Sequence, residues 1–191
     1  MLENTFGDWR YQGTRLENMG GARTFRFAVV EAFATLAHAV QGVVNSASTF
    51  TGDGEWTLVI PIEDSANLNE EEERSRGGPF YENKFTCELA GETAAGRMML
   101  DSMARVPVIA EVTDNNGLVR RMGELGDPAF ITVRHATGRG TSSRSAWTVL
   151  IEWNSERPLY VVDPAFVPEP PPEEDDDSDS IGDTSEVFGS G

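Results

Sequence analysis

Val106-Pro-Val-Ile-Ala-Glu-Val-Thr113, then Asp114-Asn-Asn-Gly117, then Leu118-Val-Arg-Arg-Met-Gly123, is the stretch from which the fold can be argued. Two β-favouring runs flank a cluster of Asp, Asn and Gly. Those are the residues that supply the positive-φ positions of a tight turn, and Asn-Gly is the strongest short-range hairpin signal. A four-residue loop, Asp114 to Gly117, would set Val112 against Val119, Glu111 against Arg120 and Ile109 against Met122. A two-residue Asn116-Gly117 loop would instead oppose Val112 and Arg121, so cross-strand chemistry predicts the longer loop.

Working outward, three further runs alternate with a period of two. Trp56, Leu58, Ile60 and Ile62 predict a strand with one inner face, which Pro61 assigns to a sheet edge or a bulge. Tyr81, Phe85, Cys87 and Leu89 predict a second. Ser145, Trp147, Val149, Ile151 and Trp153 predict a third, with two tryptophans turned to a substantial core. Ala129 to Ala136 and Leu159 to Val162 supply two shorter strands, joined to the third by Gly- and Pro-containing connections. Thr93 to Arg105 spaces Ala95, Met99 and Met103 at helical turns behind a Thr93 N-cap, which predicts one amphipathic helix against the sheet. Phe25 to Val44 fits a helical face and, over Phe25, Phe27 and Val29, a strand as well.

Asp64 to Pro79 is polar throughout and has no core pattern, so it is expected to be a long connection that is mobile or ordered by a partner. From Pro164 onward the chain carries nine acidic residues and no basic one, together with the triple proline Pro170 to Pro172. Such a stretch has too little apolar surface to offset its ordering entropy and predicts a disordered, partly extended tail. The expected organisation is an N-terminal arm over 1–22, a β-rich domain over 23–163 and the acidic tail over 164–191.

The 191 residues carry a net charge of −17, of which about half lies in that tail. This balance argues against binding duplex nucleic acid or an anionic membrane, both of which need clustered Lys and Arg, and predicts protein partners. No run approaches the ~20 apolar residues of a membrane span, and the first residues lack the basic and apolar regions of a signal peptide, so a cytoplasmic origin is expected. The single cysteine, Cys87, leaves no internal disulfide and no cysteine-based zinc site. It falls on the apolar side of its strand and is expected to be a buried small hydrophobe.

His38 and His135 have no acidic or cysteine neighbour at ligand spacing. Gly138 to Ser143 looks like a phosphate cradle but joins strand to strand and lacks the P-loop lysine. Asp177, Asp179 and Gly182 echo an EF-hand loop that fails at Ile181 and Phe188. No nucleophile elbow, HExxH or Walker pattern occurs. The expectation is therefore a non-enzymatic protein without cofactor or metal. Its candidate interaction residues are the charged runs Glu70, Glu71, Glu72, Glu73, Arg74 and Arg76 in the long connection and Asp175, Asp176 and Asp177 in the tail.

Taken in order, the Val/Ala-rich opening run, Gly54-Glu-Trp-Thr-Leu-Val-Ile-Pro61, the charged connection, Tyr81-Glu-Asn-Lys-Phe-Thr-Cys-Glu-Leu89, a short helix, the Asp114-Asn-Asn-Gly117 turn with Gly123, and the Gly138-to-Ser145 lead into the last long strand resemble small virion or tail-associated proteins of bacteriophages and prophages of gut-type bacteria. The resemblance covers Arg23 to Val162. It implies a mainly β (α+β) fold: an antiparallel β-sandwich or barrel-like sheet with one flanking helix, of the tail-tube or tail-terminator kind, with a strand over Arg26 to Val30. It also implies a structural protein made in a bacterial host's cytoplasm and carried in the virion, in the tail or head-to-tail region. Such a protein would assemble into homo-oligomeric rings and against neighbouring virion proteins. A different class, an acidic binding or inhibitory module whose tail docks on a basic partner, is the alternative that composition raises.

Overall fold

The structure, a computed structural model, describes residues 20–90, 97–98, 104, 106–136 and 146–166. It is mainly β. Among the described residues there are thirteen strands: β1 (Ala22–Val29), β2 (Phe33–Thr35), β3 (Ala39–Val40), β4 (Val43–Val44), β5 (Thr49–Phe50), β6 (Thr57–Val59), β7 (Asn67–Ser75), β8 (Gly78–Ala90), β9 (Pro107–Asp114), β10 (Val119–Met122), β11 (Ala129–Ala136), β12 (Ala146–Ser155) and β13 (Tyr160–Val162). Two 3-10 turns, Val30–Ala32 and Pro164–Phe166, complete them.

The middle of the molecule is β9, whose Val-Ile-Ala-Glu-Val run reads as a strand covered on both faces. Val108 to Val112 are each at most 1 % exposed. One edge of β9 pairs antiparallel with β1 along its length, Phe25 opposite Val112 and Val29 opposite Val108. Its other edge is divided: β10 takes Ala110 to Thr113, and β11 takes Pro107 and Val108. Gly123 makes that handover possible. Its φ is +92°, and a Cβ there would stand 2.9 Å from both Ala129 N and Val108 O, so the chain turns where only glycine fits.

From the divided edge of β9 the principal sheet continues in two branches, one through β10, β13, β4 and β3 and the other through β11, β12, β8 and β7, while β1 and β6 lie on the opposite edge. The sheet curls back on itself. Ile62 donates its N–H to Glu88 O of β8 (2.8 Å), and Ala22 of β1 donates to Ala66 O (3.0 Å). Inside the curl lies the main core, with Phe25, Phe27, Phe85, Cys87, Ile131, Val149, Ile151 and Trp153 among its members. Burying each of the large side chains is worth about 1.5–3 kcal/mol. The outer face of β1 and β9 is closed by a second cluster of Ala28, Ile109, Phe33 and Leu36. There the rings of Phe33, Phe50 and Trp56 meet with centroids 4.8–5.7 Å apart. A third cluster joins Val44 of β4, Val119 of β10 and Val162 of β13.

The β8 and β12 strands fall where alternation places them and β11 and β13 where the shorter runs do, and Trp147, Val149, Ile151 and Trp153 are buried as the period requires. The Phe25 run is a strand, ending at Val29 with Val30 in the 3-10 turn. Several expectations are corrected. The hairpin register is one step from the expected one: Val119 faces Thr113, Arg120 faces Val112, and Arg121 faces Glu111. The loop is Asn115-Asn-Gly117, closed by Asp114 N–H to Leu118 O (2.9 Å) and Gly117 N–H to Asp114 O (3.0 Å). Oδ1 of Asp114 accepts from the N–H groups of Asn116 and Leu118, both at 2.9 Å, and so selects this turn.

The Trp56 strand is short, and its faces are reversed. Val59 lies beside Phe25 and packs on the core, while Leu58 and Ile60 are 42 % and 72 % exposed. Pairing with β1 fixes which side of β6 meets the aromatic core, and periodicity alone does not. The sheet is mixed rather than wholly antiparallel, because β13 runs parallel to β4. The expected helix over Thr93 to Arg105 falls largely outside the described residues, of which Arg97 and Met98 are helical. The connection 137–145 and the tail from 167 also lie outside them.

Candidate functional site

The expected long connection, Asp64 to Pro79, is for the most part a strand. Asn67 to Ser75 form β7 and pair with β8 from Asn67 opposite Thr86 to Ser75 opposite Gly78. Glutamate is a poor strand former, but β-propensity mostly reports packing and burial, and an edge strand with one solvated face tolerates it. Leu68 anchors the strand by lying against Phe85 at the rim of the core. The turn is Arg76-Gly77. There the Gly77 N–H donates to Ser75 Oγ (3.1 Å), that hydroxyl donates to Gly78 O (3.2 Å), and Gly78 adopts a φ of +124°. Beyond Tyr81, where β12 stops pairing, the β7–β8 ribbon continues as two strands.

Six of the nine residues expected to interact are thus brought onto one sheet edge and its turn, while Asp175, Asp176 and Asp177 lie outside the described residues. Along β7 the side chains alternate. Glu70 shares the face of Leu68 and, although exposed, accepts the Leu159 N–H on its Oε2 at 2.9 Å. Glu71 and Glu73 face outward with Glu82 of β8, and one oxygen from each lies within 4.8 Å of the others. Like charges set directly opposite, as Glu71 and Glu82 are, are destabilising unless something neutralises them. Lys84 does part of this, with its ammonium 2.7 Å from Glu82. The hydrogen bond to Glu82 raises the Lys84 pKa, helped by the charges of Glu152 and Glu71. Arg74 is a looser partner, 3.9 Å from Glu72. Oxygen donors at this spacing are of the kind a hard divalent cation takes.

Next to the inner end of β7 lies a cleft of about 350 Å³, lined by Leu68, Glu70, Leu159, Gly20 and the Asp114–Arg120 pair at the β9–β10 turn. A smaller cavity of about 80 Å³ has His38, Arg121 and Tyr160 on its walls. His135 lies against Trp147 with the rings tilted and their centroids 4.4 Å apart. Tyr160 donates to Glu124, and burial with that hydrogen bond pushes its pKa up to about 12. Cys87 is buried, as expected, and burial pushes its thiol up to about 12. The thiolate that a nucleophile needs is therefore scarce near neutrality.

Sequence reasoning missed a buried ionic row across β1, β9 and β10. Arg26, Glu111 and Arg121 are cross-strand neighbours, and Glu111 takes Arg26 on one carboxylate oxygen and Arg121 on the other. The Arg26 guanidinium also lies 4.7 Å from the Trp56 ring, and Arg121 Nη1 donates to Ala37 O at 2.7 Å. The available signal was a glutamate inside a run otherwise fit for burial on both faces, with arginines on both flanking strands.

Comparison with family models, with curated proteins and with solved structures finds no match to this chain.

Proposed function

We propose that the protein is a non-enzymatic structural protein that works by contact with other protein chains, in the tail or head-to-tail region of a phage particle. The phage setting comes from the resemblance of residues 23–162. What supports the contact role is β7, a nine-residue strand at the end of the principal sheet whose strand partner among the described residues is β8 alone. Its outward main-chain groups are a template for another chain. The same reading carries the finer architecture: a sandwich or barrel-like sheet with a helix over 93–105 against it, copies arranged as a ring, and the virion as the final location.

Light scattering of the full-length protein over a concentration series tests it. A discrete multimer that persists at physiological salt supports the assembly role, and a monomer throughout overturns it. The second reading, an acidic module that docks on a basic partner, is favoured by the glutamates of β7 and by the overall charge of −17. Removing residues 164–191 separates the two, since assembly would survive the loss and docking through the tail would not.

A further inference from the structure

Resting on the reading of β7 as a contact edge, we propose the chemistry of its partner: β7 takes an extended Lys/Arg-rich segment of another protein as an added strand along Asn67–Ser75. One further basic side chain, at an intervening position of that segment and therefore on its opposite face, enters the cleft beside Glu70.

Main-chain geometry supplies the affinity in such a mode, and alternate side chains supply the specificity. Along β7 the outward row contains Glu71 and Glu73, extended by Glu82 on β8. An incoming strand with a cation at every second position would set its charges against that row, and opposite charges across strands are favourable. Pairing of two β7 edges from two copies would bring Glu70 to Glu73 of each against the other, so the same charges disfavour this edge-to-edge contact while leaving head-to-tail ring contacts open. The cleft, about 350 Å³, has room for one long side chain. Leu68 and Leu159 offer apolar surface for a lysine or arginine stem, and Glu70 stands on its wall to meet the charged head. Its Oε2 is held by the Leu159 N–H, which fixes the carboxylate in place and leaves its other oxygen for a second donor.

A nine-residue peptide of alternating lysine and valine, with one central valine replaced by lysine to supply the cleft cation, titrated calorimetrically into the full-length protein at physiological salt, is the test. A second peptide with the same side chains but alternate main-chain N-methyl groups isolates the backbone bonds. The expected result is saturable one-to-one binding, at least tenfold weaker for Glu71→Lys/Glu73→Lys and lost for the N-methylated peptide. Equal binding of the two peptides would mean attraction to a polyanion only, and would overturn strand addition. Failure of both to bind would mean that the glutamates merely guard the edge, and would overturn it as well. Scattering on the same samples keeps this separate from the assembly role: a multimer that ignores the peptide leaves assembly standing while this proposal falls.

Discussion

Glu111 and Arg121 stand directly opposite one another in the β9–β10 ladder, and a single carboxylate oxygen of Glu111 accepts from both Nε and Nη2 of Arg121, at 2.8 and 2.6 Å. The other oxygen takes Arg26, so one carboxylate holds two guanidinium groups across three strands. All three charges are far from solvent, with side-chain exposures of 0 % for Glu111, 4 % for Arg121 and 11 % for Arg26. The arrangement pins the register of β1, β9 and β10, because a shift of one residue would turn a charge into the core.

Replacing Glu111 by Gln leaves two buried cations without a counter-charge. The expected cost is about 3–5 kcal/mol, the usual penalty for removing one partner of a buried pair. Urea unfolding of the variant measures it. A loss below 1 kcal/mol would show that water reaches the arginines after all.

Asp114 fixes the β9–β10 turn that agrees with this register. Oδ1 holds the N–H groups of Asn116 and Leu118, while Oδ2 accepts Arg120 Nη1 at 2.8 Å. Asp114→Ala removes all three bonds and is expected to cost about 1–3 kcal/mol. Asp114→Asn keeps an acceptor for the turn and should lose distinctly less. Equal losses in the two would mean that the Arg120 pair, and not the turn, carries the effect.

The reach of the sequence is uneven for physical reasons. Alternation in Tyr81 to Leu89 and Ser145 to Trp153 located β8 and β12 and their buried faces, because both strands cross the main core with one side inward. The hairpin was visible in Asp114 to Gly117, but its register depended on a side-chain acceptor that cross-strand pairing rules omit. For Trp56 to Ile62 the period was present and the face was wrong, since the aromatic Trp56 packs with Phe33 and Phe50 on the outer side. Asn67 to Ser75 carries almost no apolar signal, and nine pairs with β8 determine its strand. The charged residues of the candidate site were therefore identifiable, while their placement on one edge was not.

Gly123 and Gly117 both have positive φ, +92° and +83°, but only Gly123 is hemmed in by backbone. Alanine at 117 meets open space and is expected to cost about 1–2 kcal/mol from the left-handed conformation alone. Alanine at 123 adds contacts of 2.9 Å with Val108 O and Ala129 N, which the β9–β11 pairing cannot relieve, and should cost clearly more than the change at 117. Thermal unfolding of the two variants side by side gives the order. The reverse order would place the handover between β10 and β11 elsewhere.

Cys87 sits at 0 % exposure opposite Val149, and its thiol is pushed from an ordinary value of 9.0 up to about 12. The folded state therefore holds this proton where the unfolded chain releases it. That contribution to stability is complete below pH 9 and is lost as pH rises from there to about 12, at a slope approaching roughly 1.4 kcal/mol per pH unit. Tyr160, raised from 10.0 to about 12, adds to the loss in the upper part of the same range. Cys87→Ala removes the first component and keeps the second, so its unfolding free energy should fall less steeply between pH 9 and 10 than that of the parent. Denaturant unfolding at half-unit steps of pH checks this, and identical slopes in the two proteins would show that the thiol ionises in the folded state as it does in the open chain.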